Sequence, residues 1–114
     1  MDDRQEERRL GAHMGRRYAV TWRMIARNAE AAIEGTVLNV SMTGVLILVP
    51  PDYEPGSTIF VEIRPNPDIR IGALLEIARE HEVSENGRTY GARIINQTPM
   101  DRRKLRAILR ALPG

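Results

Sequence analysis

The stretch Asn39-Val40-Ser41-Met42-Thr43-Gly44, running straight into Val45-Leu46-Ile47-Leu48-Val49, decides how this chain is read. The side chains of Asn, Ser and Thr can bond nearby backbone groups, and Gly tolerates a positive φ. A sharp reversal is therefore expected within residues 39–44. The five apolar residues behind it read as a strand buried on both faces.

Working outward, the pattern on both sides is also that of strands. From Tyr18 to Arg27, Val20, Trp22, Met24 and Ala26 share one parity, and Thr21, Arg23 and Arg27 the other. That period of two predicts a half-buried strand, with Trp22 in the core. Asn28-Ala29-Glu30 predicts a turn, and residues 31–39 a second, weaker strand with Ile33 and Val37 on one face. Downstream, Pro50-Pro51-Asp52-Tyr53-Glu54-Pro55-Gly56 predicts a loop, because proline cannot donate to a ladder. Ile59, Val61 and Ile63 then alternate with Phe60 and Glu62, and Pro65-Asn66-Pro67-Asp68 is expected to break that strand.

Residues 73–83 are ambiguous. Their Ala, Leu, Glu and Arg content favours a helix. Their parity, with Leu75, Ile77 and Val83 opposite Glu76, Glu80 and Glu82, favours a strand with a solvated acidic face. Asn86-Gly87 is a hairpin turn signal and supports the strand, with Arg88 to Ile95 pairing back. A helix over 98–112 follows. Thr98 suits the N-cap, Pro99 the first position, and Leu105, Ile108, Leu109 and Leu112 form its apolar stripe. Arg102, Arg106 and Arg110 form an opposite, solvent-facing stripe.

The expected fold is all-β: a small antiparallel barrel of six to seven strands with a C-terminal helix capping an open end or an edge. Residues 1–15 are charged and aperiodic, and are expected to be a flexible N-terminal arm before a single domain over 16–114.

Composition narrows the function. With no cysteine, neither a disulfide scaffold nor a thiolate metal site can form. The two histidines, His13 and His81, lack the spacing of a zinc helix or a catalytic triad, and no Walker loop or G-x-G-x-x-G is present. No cofactor, no metal and no enzymatic activity are therefore expected. No apolar run is long enough to span a membrane, and the start of the chain lacks the apolar core of a secretory signal, so the expected location is cytoplasmic. The formal net charge is only +2, with basic residues gathered at Arg16-Arg17 and along the last helix. Two small basic patches suit a small anion as well as a polymer. A nucleic-acid barrel would use stacking platforms, and five aromatic residues in the whole chain make that partner a poor fit.

Arginines before the first strand, the Asn39-x-Ser41-x-x-Gly44 turn, the apolar strand after it, and Tyr90-Gly91-Ala92-Arg93-Ile94 followed by Thr98-Pro99 and a basic helix together resemble the PilZ domain family. The resemblance covers about residues 7–112. Its signature is R-x-x-x-R followed by [DN]-x-S-x-x-G, and it implies a bacterial receptor for the second messenger cyclic di-GMP. On that resemblance, Arg8, Arg9, Arg16, Arg17, Asn39, Ser41 and Gly44 are the expected ligand-binding residues, and a downstream protein effector is the expected partner. Arginine can fork onto phosphate, bond the O6 and N7 edge of guanine, and stack on the purine face.

One part of the signature is irregular. Counting back from Arg17 puts His13 where the first arginine belongs, and counting back from Arg16 puts Ala12 there. Arg4 and Arg8 have the spacing but lie far upstream, and Arg23 and Arg27 have it inside the first strand. Two readings follow: a lengthened arm in which Arg8-Arg9 and Arg16-Arg17 share the task, or a degenerate PilZ-like interaction module that does not bind the nucleotide.

Overall fold

The alternating apolar residues become the inside of a closed cylinder. The computed structural model of the protein describes residues 16–28 and 30–113. Six strands form one antiparallel barrel: β1 (Tyr18–Arg27), β2 (Ala32–Val40), β3 (Gly44–Val49), β4 (Thr58–Asn66), β5 (Ile69–Ser84) and β6 (Gly87–Asn96), followed by helix α1 (Pro99–Ala111). The order around the wall is β1-β2-β3-β6-β5-β4, and β4 closes on β1 with Met24 opposite Ile63 and Ala26 opposite Val61. Closure pairs the strand edges that an open sheet would leave bare. Met24, Val37, Ile47, Ile63, Ile71, Leu75 and Ile77 fill the interior and are completely buried, and Trp22 joins the same core as expected.

The stretch 73–83 is strand, as its parity and the Asn86-Gly87 turn favoured, and it belongs to a longer one that starts at Ile69. Three expectations are corrected. The proline-rich break shrinks to a tight turn at Pro67-Asp68, where Asn66 Oδ1 accepts from the Asp68 N–H at 2.9 Å. Pro65 stays within β4 because the register with β5 slips between Ile63 and Asn66, so no ladder bond is asked of it. Val45–Val49 is not buried on both faces: Leu46 and Leu48 are only half-buried, because a barrel wall has a single interior side. The arginine stripe of the helix is not uniformly solvated either, since Arg102 and Arg106 are half-buried and only Arg110 is exposed. The expected arm, residues 1–15, lies outside the described residues.

Two devices fix the wall. The C-terminal end of β3 is approached by glycines from both neighbouring strands. A Cβ on Gly35 would stand 2.6 Å from Val49 Cγ1, and one on Gly87, at φ +133°, 2.8 Å from the Val49 carbonyl oxygen. The second device is Tyr90, fully buried, whose hydroxyl accepts from the Tyr53 N–H at 2.9 Å and ties the 50–57 loop to β6. Burial pushes the Tyr90 phenol above its ordinary value, with the nearby Asp52 and Glu80 carboxylates adding to the effect. Helix α1 starts at Thr98, whose Oγ1 accepts from the Asp101 N–H, and it packs Leu105 and Leu109 into the core. Among the described residues, no helix is long and apolar enough to cross a membrane.

Candidate functional site

The β2–β3 turn is locked from within. The Ser41 N–H donates to the Gly44 carbonyl at 2.9 Å. Ser41 Oγ accepts from the Gly44 N–H at 3.0 Å and from the Thr43 N–H at 3.2 Å. Ser41 is 1% exposed, so its hydroxyl serves the turn's own backbone. The turn is also docked on β6, where the Ile94 N–H donates to the Thr43 carbonyl at 2.9 Å. Gly44 lies flat against that strand: a Cβ there would meet the Ala92 carbonyl oxygen at 3.0 Å and come within 4.0 Å of Arg17 Nη2.

This close approach leaves an open groove of about 510 Å³ on the outer wall. Arg17, Asn39, Thr43 and Gly44 line one side, and Arg79, His81 and Arg93 of β5 and β6 line the other. Asn39 Oδ1 is buried and has no hydrogen-bond partner. Arg93 is ion-paired with Glu76, and Arg79 Nη2 lies 3.5 Å from His81 Nε2. Three guanidinium groups therefore face one groove, with one of them paired to a carboxylate. The excess is positive, and it is arranged beside an unmatched amide and a turn. Such a site suits an anion that also carries polar, stackable rings.

The structure brings together Arg17, Asn39 and Gly44 of the expected binding residues. Ser41 is not part of the groove lining; it is buried in the turn. Arg16 does not line the groove either, and its guanidinium carbon sits 5.1 Å from the centre of the Tyr18 ring. Arg8 and Arg9 lie outside the described residues, as does His13. Sequence reasoning missed Arg79, His81 and Arg93 as groove residues. No local spacing announces them, because they arrive through the pairing of Gly44 with Arg93 and of Gly91 with Arg79. No group of three His, Asp or Glu residues capable of holding a metal occurs among the described residues.

Solved structures that share the fold include the following three. The PilZ domain with c-di-GMP of YcgR from Escherichia coli superposes with a TM-score of 0.68 at 14% identity, covering 85% of this chain and 88% of that one. YcgR in complex with c-di-GMP from Escherichia coli gives 0.69 at 14% identity, over 84% of this chain and 43% of that one. The inhibitor of motility MotI/DgrA of Bacillus subtilis gives 0.67 at 15% identity, over 81% and 46%. The chain thus spans less than half the length of the last two. No curated protein matches. The family model of the PilZ domain matches residues 2–111, a span that takes in all six strands, the helix and the arginines ahead of β1, and the chain belongs to the PilZ domain family.

Proposed function

We propose that this protein is a non-catalytic receptor for cyclic di-GMP, and that the nucleotide binds in the groove at the β2–β3 turn. One observation carries the reading: Arg17 and the turn residues Asn39 and Gly44 share a groove with Arg79 and Arg93, which come from distant parts of the chain. Membership of the PilZ family supports it. So does the fold shared with a PilZ domain that was solved with c-di-GMP.

In this reading, Arg17 forks onto a phosphate and Asn39 Oδ1 accepts from a guanine N–H. Gly44 lets the ligand reach the backbone, and Arg79 and Arg93 balance the second phosphate. Ser41 holds the turn in shape. Arg16 at the edge, with Arg8 and Arg9 upstream, closes over the ligand from the residues ahead of β1. Ordering those residues would offer a new surface to a protein effector.

Calorimetric titration of the full chain with cyclic di-GMP tests the proposal. Loss of a charge-assisted contact in Arg17→Ala should cost about 1.5–3 kcal/mol, which is a roughly 10- to 150-fold weaker Kd. Arg8→Ala, Arg9→Ala and Arg16→Ala should weaken binding as well. A second reading is favoured by the placement of Arg16 over Tyr18, which leaves Arg17 as the one arginine ahead of β1 that lines the groove among the described residues. Under it, the domain acts through protein contacts alone. Absence of heat and of NMR shifts at high nucleotide concentration would establish that alternative.

A further inference from the structure

Arg93 stands between two different neighbours. Across β3 it is paired with Gly44, and across β5 with Glu76. Gly44 presents bare backbone, and Arg17 Nη2 lies 4.0 Å from where its Cβ would stand. Two guanidinium groups therefore flank one open patch of the groove floor, and like charges so placed repel. Without a ligand, that repulsion is answered from outside the groove. Arg93 Nη2 donates to Glu76 Oε1 in an ion pair. Glu76 does not line the groove, and no other carboxylate among the described residues does. The pair therefore draws the Arg93 guanidinium towards β5 and away from Gly44. Its two members differ in freedom. The Arg93 side chain is 68% exposed and ends a long stem, whereas that of Glu76 is 28% exposed on a strand paired on both sides, with Thr58 opposite it on β4. The arginine can swing into the groove, and the short carboxylate stem cannot follow it.

We propose that Glu76 is the internal counter-ion of the groove. It occupies Arg93 in the free protein, a phosphate group of the ligand displaces it, and it thereby sets the affinity of the site for anions. An ion pair this exposed is weak, so a phosphate that Arg93 can grip as a fork outcompetes it. The released carboxylate keeps access to water, so its loss of a partner is tolerated. Glu76 also sets how much charge the ligand must bring. The guanidinium groups of Arg17, Arg79 and Arg93, less the one carboxylate of Glu76, leave two positive charges with His81 neutral. A cyclic dinucleotide carries two phosphodiester charges and matches that excess, and a neutral nucleoside gains nothing from the exchange. The identity of the ligand rests on the receptor reading; the exchange at Arg93 requires only a phosphate anion.

The test uses the full chain, with calorimetric titration of cyclic di-GMP and, separately, NMR titration of inorganic pyrophosphate. Glu76→Gln keeps the shape of the side chain and should bind either anion about two- to five-fold more tightly, as expected for the release of one exposed ion pair. Arg93→Ala should weaken binding more in the Glu76→Gln background than in the parent, because only there does Arg93 contribute in full. Guanosine, which brings no phosphate, should bind the parent and Glu76→Gln equally. In the parent, pyrophosphate should move the carboxylate carbon of Glu76 in the direction that Arg93→Ala moves it. Equal or weaker binding by Glu76→Gln would overturn the proposal and make Glu76 a residue that orients Arg93 for the ligand. Equal costs of Arg93→Ala in the two backgrounds, or an unmoved Glu76 carbon, would overturn it as well. A chain that ignores cyclic di-GMP yet shows these responses to pyrophosphate would refute the receptor reading and uphold the counter-ion. A chain that responds to neither anion would refute both.

Discussion

Replacing Ser41 by alanine separates a residue that builds the turn from one that touches the ligand. The hydroxyl accepts from two backbone N–H groups, at 3.0 and 3.2 Å, in a residue that is 1% exposed. Alanine leaves the Gly44 N–H without that partner. An unsatisfied buried donor costs about 1–3 kcal/mol, and the middle of that range is about 2 kcal/mol. For a domain of this size that lowers the melting temperature by roughly 10 °C. Arg17→Ala removes an exposed side chain from the groove and should leave the melting temperature within about 2 °C of the parent. Calorimetric melting and nucleotide titration on the same samples read both effects. The two variants should therefore fall in opposite corners: Ser41→Ala loses stability and keeps most affinity well below its melting point, and Arg17→Ala does the reverse. A Ser41→Ala protein that melts like the parent yet no longer binds would refute the reasoning, because the hydroxyl would then act on the ligand.

Three more outcomes are expected. Gly35→Ala drives a Cβ to within 2.6 Å of Val49 Cγ1 and 2.7 Å of the Leu48 carbonyl, where strand backbone has little room to yield, and should cost about 2–3 kcal/mol in urea unfolding. Tyr90→Phe keeps the ring and deletes the hydroxyl that accepts from Tyr53 N–H; a loss of about 1–2 kcal/mol is expected by the same measurement, with proteolysis of the 50–57 loop as a second readout. Glu62 is held below its ordinary value of 4.5, chiefly by its hydrogen bonds to Arg64. Its contribution is thus complete above pH 4.5 and is lost as the pH falls through the depressed folded value. Urea midpoints followed from pH 6 to pH 3 should fall more steeply for the parent than for Glu62→Gln, and parallel curves would contradict the assignment.

Much of the barrel was legible because alternation survives locally. Met24, Ile63 and Ile77 each sit in a run whose parity alone marks the inward face. The helix was legible for the same reason, with Thr98 and Pro99 marking its start. What failed were places where a long-range partner sets the outcome. Pro65 reads as a breaker, yet a register slip against β5 keeps it in strand. Five apolar residues at 45–49 read as buried on both sides, but β3 lies in a wall with one inside, so Leu46 and Leu48 remain half-open. The candidate site divides in the same way. Asn39 and Gly44 were visible in the turn chemistry. Arg79 and Arg93 were not, since only the β3–β6–β5 pairing carries them to that turn. Glu76 was read as part of a solvated acidic face, and it is engaged with Arg93.

The length of β5 has a consequence for how the groove behaves. Its last rungs towards the β4 side are made at Ile77, with Gly56 and Ser57. Beyond that point, up to Ser84, it pairs with β6 alone. Arg79 and His81 therefore stand on a strand edge, held on one side only, by β6 residues that β3 holds on the other, and the amides of that edge can open to exchange without the barrel unfolding. The stiffness of one side of the groove is thus decoupled from the stability of the domain. Changes on β5 between residues 79 and 83 can loosen or tighten the fit of a bound molecule and leave thermal denaturation nearly unchanged.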